Sequence, residues 1–256
     1  MVKKRLILTL LINQESFVNS RNFKIQNIIN LETIVEHLNF EAIDELVILN
    51  VARNEKKLDR FCEHIKEISK NCFIPIAAGG GVKSVDDFNK LLRSGADKII
   101  INTSAIENPS LISDAKNFFG SQCVIVSIDV KKNGSGIQEV FSHNGVVNTN
   151  KNVFEWIKTV EQLGAGEIFL TSIDMDGIGK GYDIDLIRKA VEITSIPVIA
   201  SGGVGELSHL SKGLKETDVS AVSLANLFHF IGHSLVKAKK HLIQAGLDVP
   251  EPLWNF

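Results

Sequence analysis

The chain nearly repeats itself. Ile74 to Ile106 reads IPIAAGGGVKSVDDFNKLLRSGADKIIINTSAI, and Ile196 to Phe228, 122 residues further on, reads IPVIASGGVGELSHLSKGLKETDVSAVSLANLF. Glu45 in DELVILN and Glu167 in GEIFLTS obey the same offset. Each copy starts with Ile-Pro, runs into small residues and glycines, passes through an amphipathic stretch and ends in an apolar run. Solenoid units recur every 20 to 50 residues or so, so this period is too long for one. It is half a domain, and two βαβαβα halves are expected to close on each other. Closure would set two glycine-rich turns on one rim.

Apolar runs between the amphipathic stretches predict eight strands: Leu6–Ile12, Leu46–Leu49, Ile74–Ala77, Ile99–Asn102, Val124–Asp129, Ile168–Ser172, Val198–Ala200 and Ala221–Ala225. The segments ETIVEHLNF, VDDFNKLLRSG, VFEWIKTVEQLG, DIDLIRKAVEIT and LVKAKKHLIQAG carry helical periodicity, and several end in glycine, the residue that most readily takes the left-handed turn after a helix. Ser84 and Asp87 form a capping-box start. Alternation of this kind predicts a parallel (β/α)8 TIM barrel with an internal two-fold half-barrel repeat, one domain over residues 1–256. An open doubly wound sheet is the competing architecture. Asn13 to Asn30 reads as a polar loop. Val130 to Lys151 reads as two short β-like runs around Asn144-Gly145, a strong hairpin signal. Both insertions follow strand C-termini, the end where barrel active sites form.

Composition narrows the function class. A net charge of −2 in 256 residues gives no reason to expect nucleic acid or an anionic membrane as partner. Lys3, Lys4 and Arg5 before LILTLLI mimic a signal peptide, but no small-residue cleavage site follows, and no run approaches the roughly 18 apolar residues of a membrane span. Cys62, Cys72 and Cys123 lie in apolar contexts without C-x-x-C spacing. They read as buried thiols of a cytoplasmic protein, with no metal and no cofactor implied.

Several residues could carry chemistry. Asp129 ends the apolar run VIVSID, which would set a carboxylate at the barrel mouth, although a cap or loop carboxylate reads the same way. Asp174 and Asp176 in SIDMDGIGKGYD stand beside Gly177, Gly179 and Gly181, whose backbone could approach a ligand closely; a flexible loop with charged ends is the alternative. Gly79–Gly81 and Gly202-Gly203 each lie between a strand and a helix, where free N–H groups and the helix dipole can hold phosphate. Asn102-Thr103 and Ala225-Asn226 end the following strand in each half and could complete the two cradles. Tight turns alone would explain the glycines but not the matched neighbours. Arg5, Glu45, Lys98 and Glu167 stand at strand starts, two of each sign. Pointing inward they would form a paired ring across the barrel floor, as buried charges require; pointing outward they would be ordinary rim charges.

Taken together, IPIAAGGGVKSVDDF, GADKIIINTSA, FGSQCVIVSIDVK, LGAGEIFLTSIDMDG, GKGYDIDLI and SIPVIASGGVG resemble the cyclase subunit of imidazole glycerol phosphate synthase over essentially the whole chain. The resemblance implies a barrel that binds a substrate phosphorylated at both ends. It also implies a glutaminase, a class I glutamine amidotransferase subunit, on the N-terminal face, supplying ammonia through the barrel. It assigns Gly81, Asn102, Thr103, Gly177, Gly202, Gly203, Ala225 and Asn226 to phosphate sites. Arg5, Glu45, Lys98 and Glu167 become an ammonia gate, Asp129 a catalytic aspartate with Asp174 and Asp176 as further candidates, and Asp97 a contact to the glutaminase.

The departures are informative. The family's first strand ends in C-L-D-V-K-D-G-R-V-V-K-G; here that register is Thr9 to Ser20. Leu11 stands where the first catalytic aspartate belongs, and Asn19 where the loop lysine belongs. Asn50 stands where the family usually has aspartate, and Asn226 where it usually has serine. Acid–base ring closure needs a donor and an acceptor on two sides of the reacting centre, and leucine cannot titrate. A branch of the family with leucine in this position is associated with surface-polysaccharide pathways, where ammonia serves to amidinate an acetamido sugar. There the barrel resembles a conduit, with the substrate-modifying chemistry on a third protein. A genuine cyclase of histidine biosynthesis and a sugar-phosphate isomerase are the alternatives. Leu11 speaks against both, and the floor charges speak against the isomerase, which needs no ammonia path.

Overall fold

The computed structural model describes residues 3–30, 42–54, 56–225 and 234–251. Asn226 and the stretch ETIVEHLNF lie outside the described residues. Among the described residues twelve strands run in chain order: β1 Arg5–Asn13, β2 Ser16–Arg21, β3 Lys24–Asn30, β4 Glu45–Asn50, β5 Ile76–Gly79, β6 Lys98–Ile101, β7 Val124–Lys132, β8 Gln138–Ser142, β9 Val147–Asn152, β10 Glu167–Ser172, β11 Val198–Ser201 and β12 Ala221–Leu224. The described helices are α1 Leu58–Ser69, α2 Val85–Arg93, α3 Thr103–Glu107, α4 Ser110–Phe119, α5 Val153–Leu163, α6 Ile184–Ile193, α7 Leu207–Thr217 and α8 Ser234–Gln244.

Eight of the strands, β1, β4, β5, β6, β7, β10, β11 and β12, pair in parallel in that order, and β12 pairs back to β1. The sheet is therefore a closed (β/α)8 barrel. Side chains alternate across each strand, and closure sorts them into two cores. On β1, Leu6, Leu8, Leu10 and Ile12 point outward into the layer shared with the helices. Ile7 points inward, where it meets Val47, Ala77, Ile100, Ile125, Phe169, Ile199 and Ala221, one side chain from each barrel strand. This belt lines the barrel axis with buried apolar side chains.

The helices form where the sequence supplies both a cap and an apolar stripe. In α2, Ser84 Oγ accepts from Asp87 N while Asp87 returns bonds to Ser84 N, and Phe88 and Leu91 are buried. In α5, Asn152 caps the N-terminus, Val153, Trp156, Ile157 and Val160 are buried, and Gly164 ends the helix at φ 95°.

Two expectations need correction. Asn13 to Asn30 is not a loop: β1 runs on to Asn13, and β2 and β3 form an antiparallel hairpin attached to it. Its tip is Asn22-Phe23, at φ 49° and 61°, the twist that a two-residue hairpin needs but without the glycine that would announce it. Of the three thiols, Cys72 is buried, whereas Cys62 and Cys123 are only half-buried. The second insertion is a hairpin of β8 and β9, paired to β7 and turning at His143–Val146. Among the described residues no helix is long and apolar enough to cross a membrane.

Candidate active site at the barrel mouth

Parallel strands place all their C-terminal ends on one rim, so the glycine turns after β5 and β11 share it. Continuing the inward alternation upward from the apolar belt gives Thr9 and Leu11 on β1, Ser127 and Asp129 on β7, Thr171 on β10 and Ser223 on β12. Thr9 Oγ1 and Ser223 Oγ are 2.6 Å apart inside the barrel. The interior thus turns from apolar to polar on approaching the mouth.

Asp129 is the centre of that mouth. Its carboxylate is buried, takes a 2.8 Å bond from Asn102 Nδ2, and has Ser127 Oγ at 3.4 Å. Burial pushes its pKa up to about 7, against the lowering effect of those two donors. A carboxyl poised there can accept or return a proton near neutral pH. Asn102 Oδ1 is buried beside it with no hydrogen-bond partner.

Asp176 plays a different part. Its carboxylate accepts from Ser20 Oγ at 3.0 Å and from Phe23 N at 2.9 Å, and its carbonyl accepts from Asn22 N at 2.9 Å. Burial raises its pKa in spite of these donors. It clasps the β2–β3 hairpin to the loop after β10. Gly177 belongs to the same clasp, since a β-carbon there would come within 2.2 Å of Ser20 O. Asp174 accepts from Lys132 N at 2.9 Å and ties the same loop to the β7–β8 hairpin.

The two glycine turns are not equivalent. Gly80 and Gly81 take φ 103° and 92°, and Gly202 and Gly203 take 92° and 107°. After the first turn, the start of α2 is consumed internally: Asp87 Oδ2 accepts from Lys83 N and Ser84 N. The Asp87 carboxylate therefore already occupies part of that helix start, beside the turn. The second turn packs against the glycine loop after β10, with Gly181 N donating to Gly203 O at 2.8 Å. No side chain caps α7. Thr103 Oγ1 accepts from His143 N at 3.0 Å, and Ala225 is half-buried at the end of β12.

At the opposite end the four charges meet. Arg5 Nη1 lies 2.6 Å from Glu45 Oε2, and Arg5 Nη2 is bonded to Glu167. Lys98 Nζ lies 3.0 Å from Glu45 Oε1 and 3.2 Å from Glu167 Oε2. Both carboxylate side chains are under a tenth exposed, while the cations are about a fifth exposed. Burial works against the Arg5 charge, but Glu167 and Glu45 outweigh it and its pKa is raised. Asp97 is exposed on this face and accepts from Ile76 N at 2.8 Å.

One residue at the mouth escapes a reading of the sequence. Lys56 lies in the charge-rich stretch NEKKLDR, which looks like a solvated loop. It is half-buried, its stem passes Gly81, and its Nζ donates to Asn144 Oδ1 at 3.3 Å. Among the described residues, no cluster of three or more His, Cys, Asp or Glu side chains could hold a metal ion.

The fold and the site define a class: a (β/α)8 barrel with the buried Asp129 carboxylate at its mouth, paired glycine turns on the same rim, and a salt-bridged floor. The family model described as "Histidine biosynthesis protein" matches residues 10–233. The imidazole glycerol phosphate synthase subunit HisF of Dictyoglomus thermophilum is 44% identical over 209 residues, 82% of each chain. The chain belongs to this histidine-biosynthesis family of barrels.

Proposed function

We propose that this chain is the ammonia-accepting barrel of a glutamine amidotransferase. A glutaminase covers the floor, ammonia passes up the barrel, and a phosphorylated small molecule meets it at the mouth. One asymmetry carries the reading: a complete four-charge floor lies beneath a mouth that retains Asp129 but has Leu11 where a second carboxylate would stand. The relative from D. thermophilum, named as a subunit of imidazole glycerol phosphate synthase, supports it. The interior chemistry agrees. An apolar belt admits neutral ammonia but rejects ammonium, because moving an unpaired charge into such surroundings is prohibitive. Above the belt, Thr9, Ser127, Thr171 and Ser223 offer hydrogen bonds, and the unpartnered Asn102 Oδ1 is an acceptor suited to an N–H donor.

Within this reading the role is that of a variant paralogue. It supplies ammonia for amidination of an acetamido sugar in surface-polysaccharide biosynthesis, with a third protein performing the amidation. The competing role, a working cyclase of histidine biosynthesis, is favoured by Asp129, whose pKa near 7 suits general acid–base work. An assay of the purified chain with the cyclase substrate and saturating ammonium separates the two. The paralogue reading expects a rate about 10²- to 10⁴-fold below that of an enzyme with both carboxylates. A comparable rate overturns it in favour of the cyclase.

A further inference from the structure

We propose that Lys56 is the cation that clamps an anionic end of the ligand, a phosphate monoester, against the Gly80-Gly81 turn. The inference rests on the reading of the glycine turns as phosphate cradles and adds to it a residue and a source of charge.

The capping box of α2 limits what that helix can offer the first cradle. The capping box of α2 places the Asp87 carboxylate on Lys83 N and Ser84 N, so the dipole of that helix is already answered. The position at which the resemblance implies a lysine holds Asn19, which is neutral and buried on β2 of the hairpin. Lys56 reaches the same cradle from the loop after β4. Its stem lies against Gly81 so closely that a β-carbon on the glycine would sit 3.0 Å from Lys56 Cβ and 3.4 Å from Cδ. Gly81 thus has a second reason to be glycine, beyond its φ of 92°.

The ammonium is held in place but not neutralised. Its hydrogen bond runs to the neutral Asn144 Oδ1 at 3.3 Å, and Asn144 is itself anchored through Nδ2 to Val51 O at 3.2 Å. Among the described residues no carboxylate lies within 4.0 Å of Nζ. Burial therefore lowers the lysine's pKa, with Asp129 pulling it back up. An ammonium is a compact charge with three donors, a form well suited to phosphate oxygens. An arriving phosphate would take the donors that Asn144 leaves unused.

The test is a titration of the full chain with inorganic phosphate, followed by phosphorus NMR, for wild type, Lys56→Met and Lys56→Arg, with crystals of each soaked in phosphate. The proposal expects Lys56→Met to weaken phosphate binding by about tenfold or more and to empty the first cradle, as loss of a charge-assisted bond does. Lys56→Arg should remain within about threefold of wild type. Thermal melts report whether each variant folds, and Lys56→Gln replaces any that does not. Phosphate bound equally well at the first cradle without the lysine overturns the clamp and leaves the cradle standing. Wild type that binds no phosphate at either turn overturns the clamp together with the cradle reading beneath it.

Discussion

At the scale of single residues, Asp129 and Leu11 decide what the mouth can do. The Asp129 carboxyl has a pKa near 7 in the folded chain against 3.8 ordinarily, because it is buried. The folded state therefore binds more protons than the unfolded state between those values. Stability falls as pH rises from about 4 to about 7 and is flat above. Asp129→Asn removes the penalty, so its melting temperature should exceed that of wild type at pH 8 and match it near pH 4. The gain is on the order of 4 kcal/mol at the upper end. An equal offset at both pH values would mean that the group is not carried protonated into the fold. The reciprocal change is Leu11→Asp. If substrate binding is intact, it should raise ammonia-dependent cyclase turnover measurably. Recovery will fall short of a native pair, since acid–base residues act as a unit and Asn19 is also altered. Turnover unchanged by Leu11→Asp, despite normal substrate binding, would move the missing function to another position. Asp129 could be found in the sequence because it closes the apolar run VIVSID, whereas Leu11 stands out only against the motif of the family that the chain resembles. Lys56 could not, because nothing in NEKKLDR distinguishes a lysine folded over a glycine from its solvated neighbours.

At the scale of elements, the β2–β3 hairpin is the part that sequence patterning missed. Phe17 and Val18 are buried, but Asn19, Ser20 and Arg21 interrupt the alternation, and the tip residues Asn22 and Phe23 take positive φ without glycine. What holds this hairpin is tertiary: the Asp176 carboxylate on Ser20 and Phe23. Asp176→Ala should leave the barrel intact while the amide of Phe23 exchanges with solvent about tenfold faster or more, as loss of its carboxylate acceptor implies. Unchanged exchange would show that the hairpin stands on its own pairing. By contrast, the β8–β9 hairpin, the capping box of α2 and the barrel strands were all legible, because each is specified by residues adjacent in the chain. The inner belt offers a control for the barrel itself. Phe169→Ala, at a side chain 2% exposed, should cost about 3–5 kcal/mol in denaturant unfolding. A cost under 1 kcal/mol would mean that the belt is loosely packed.

At the scale of the whole molecule, the barrel separates two ends with different histories. The floor keeps four charges that meet one another, although replacing such a buried network with apolar side chains is often neutral or stabilising. Their sign balance was visible in the sequence; periodicity left their direction open, and the resemblance pointed them inward, where the four meet. The mouth carries the glycine turns and Asp129, with Leu11 on the same side of β1 as Thr9. The central claim is that the floor still serves a glutaminase whatever has become of the mouth. The most direct measurement mixes the full chain with a class I glutaminase subunit from the same source and follows glutamate formation and free ammonia, for wild type and Glu167→Ala. The account predicts that the wild-type barrel stimulates glutamate formation. Glu167→Ala, still folded, should change either that stimulation or the share of ammonia that leaks before reaching the mouth. Absence of binding at micromolar concentration, with wild type and variant indistinguishable, would contradict it.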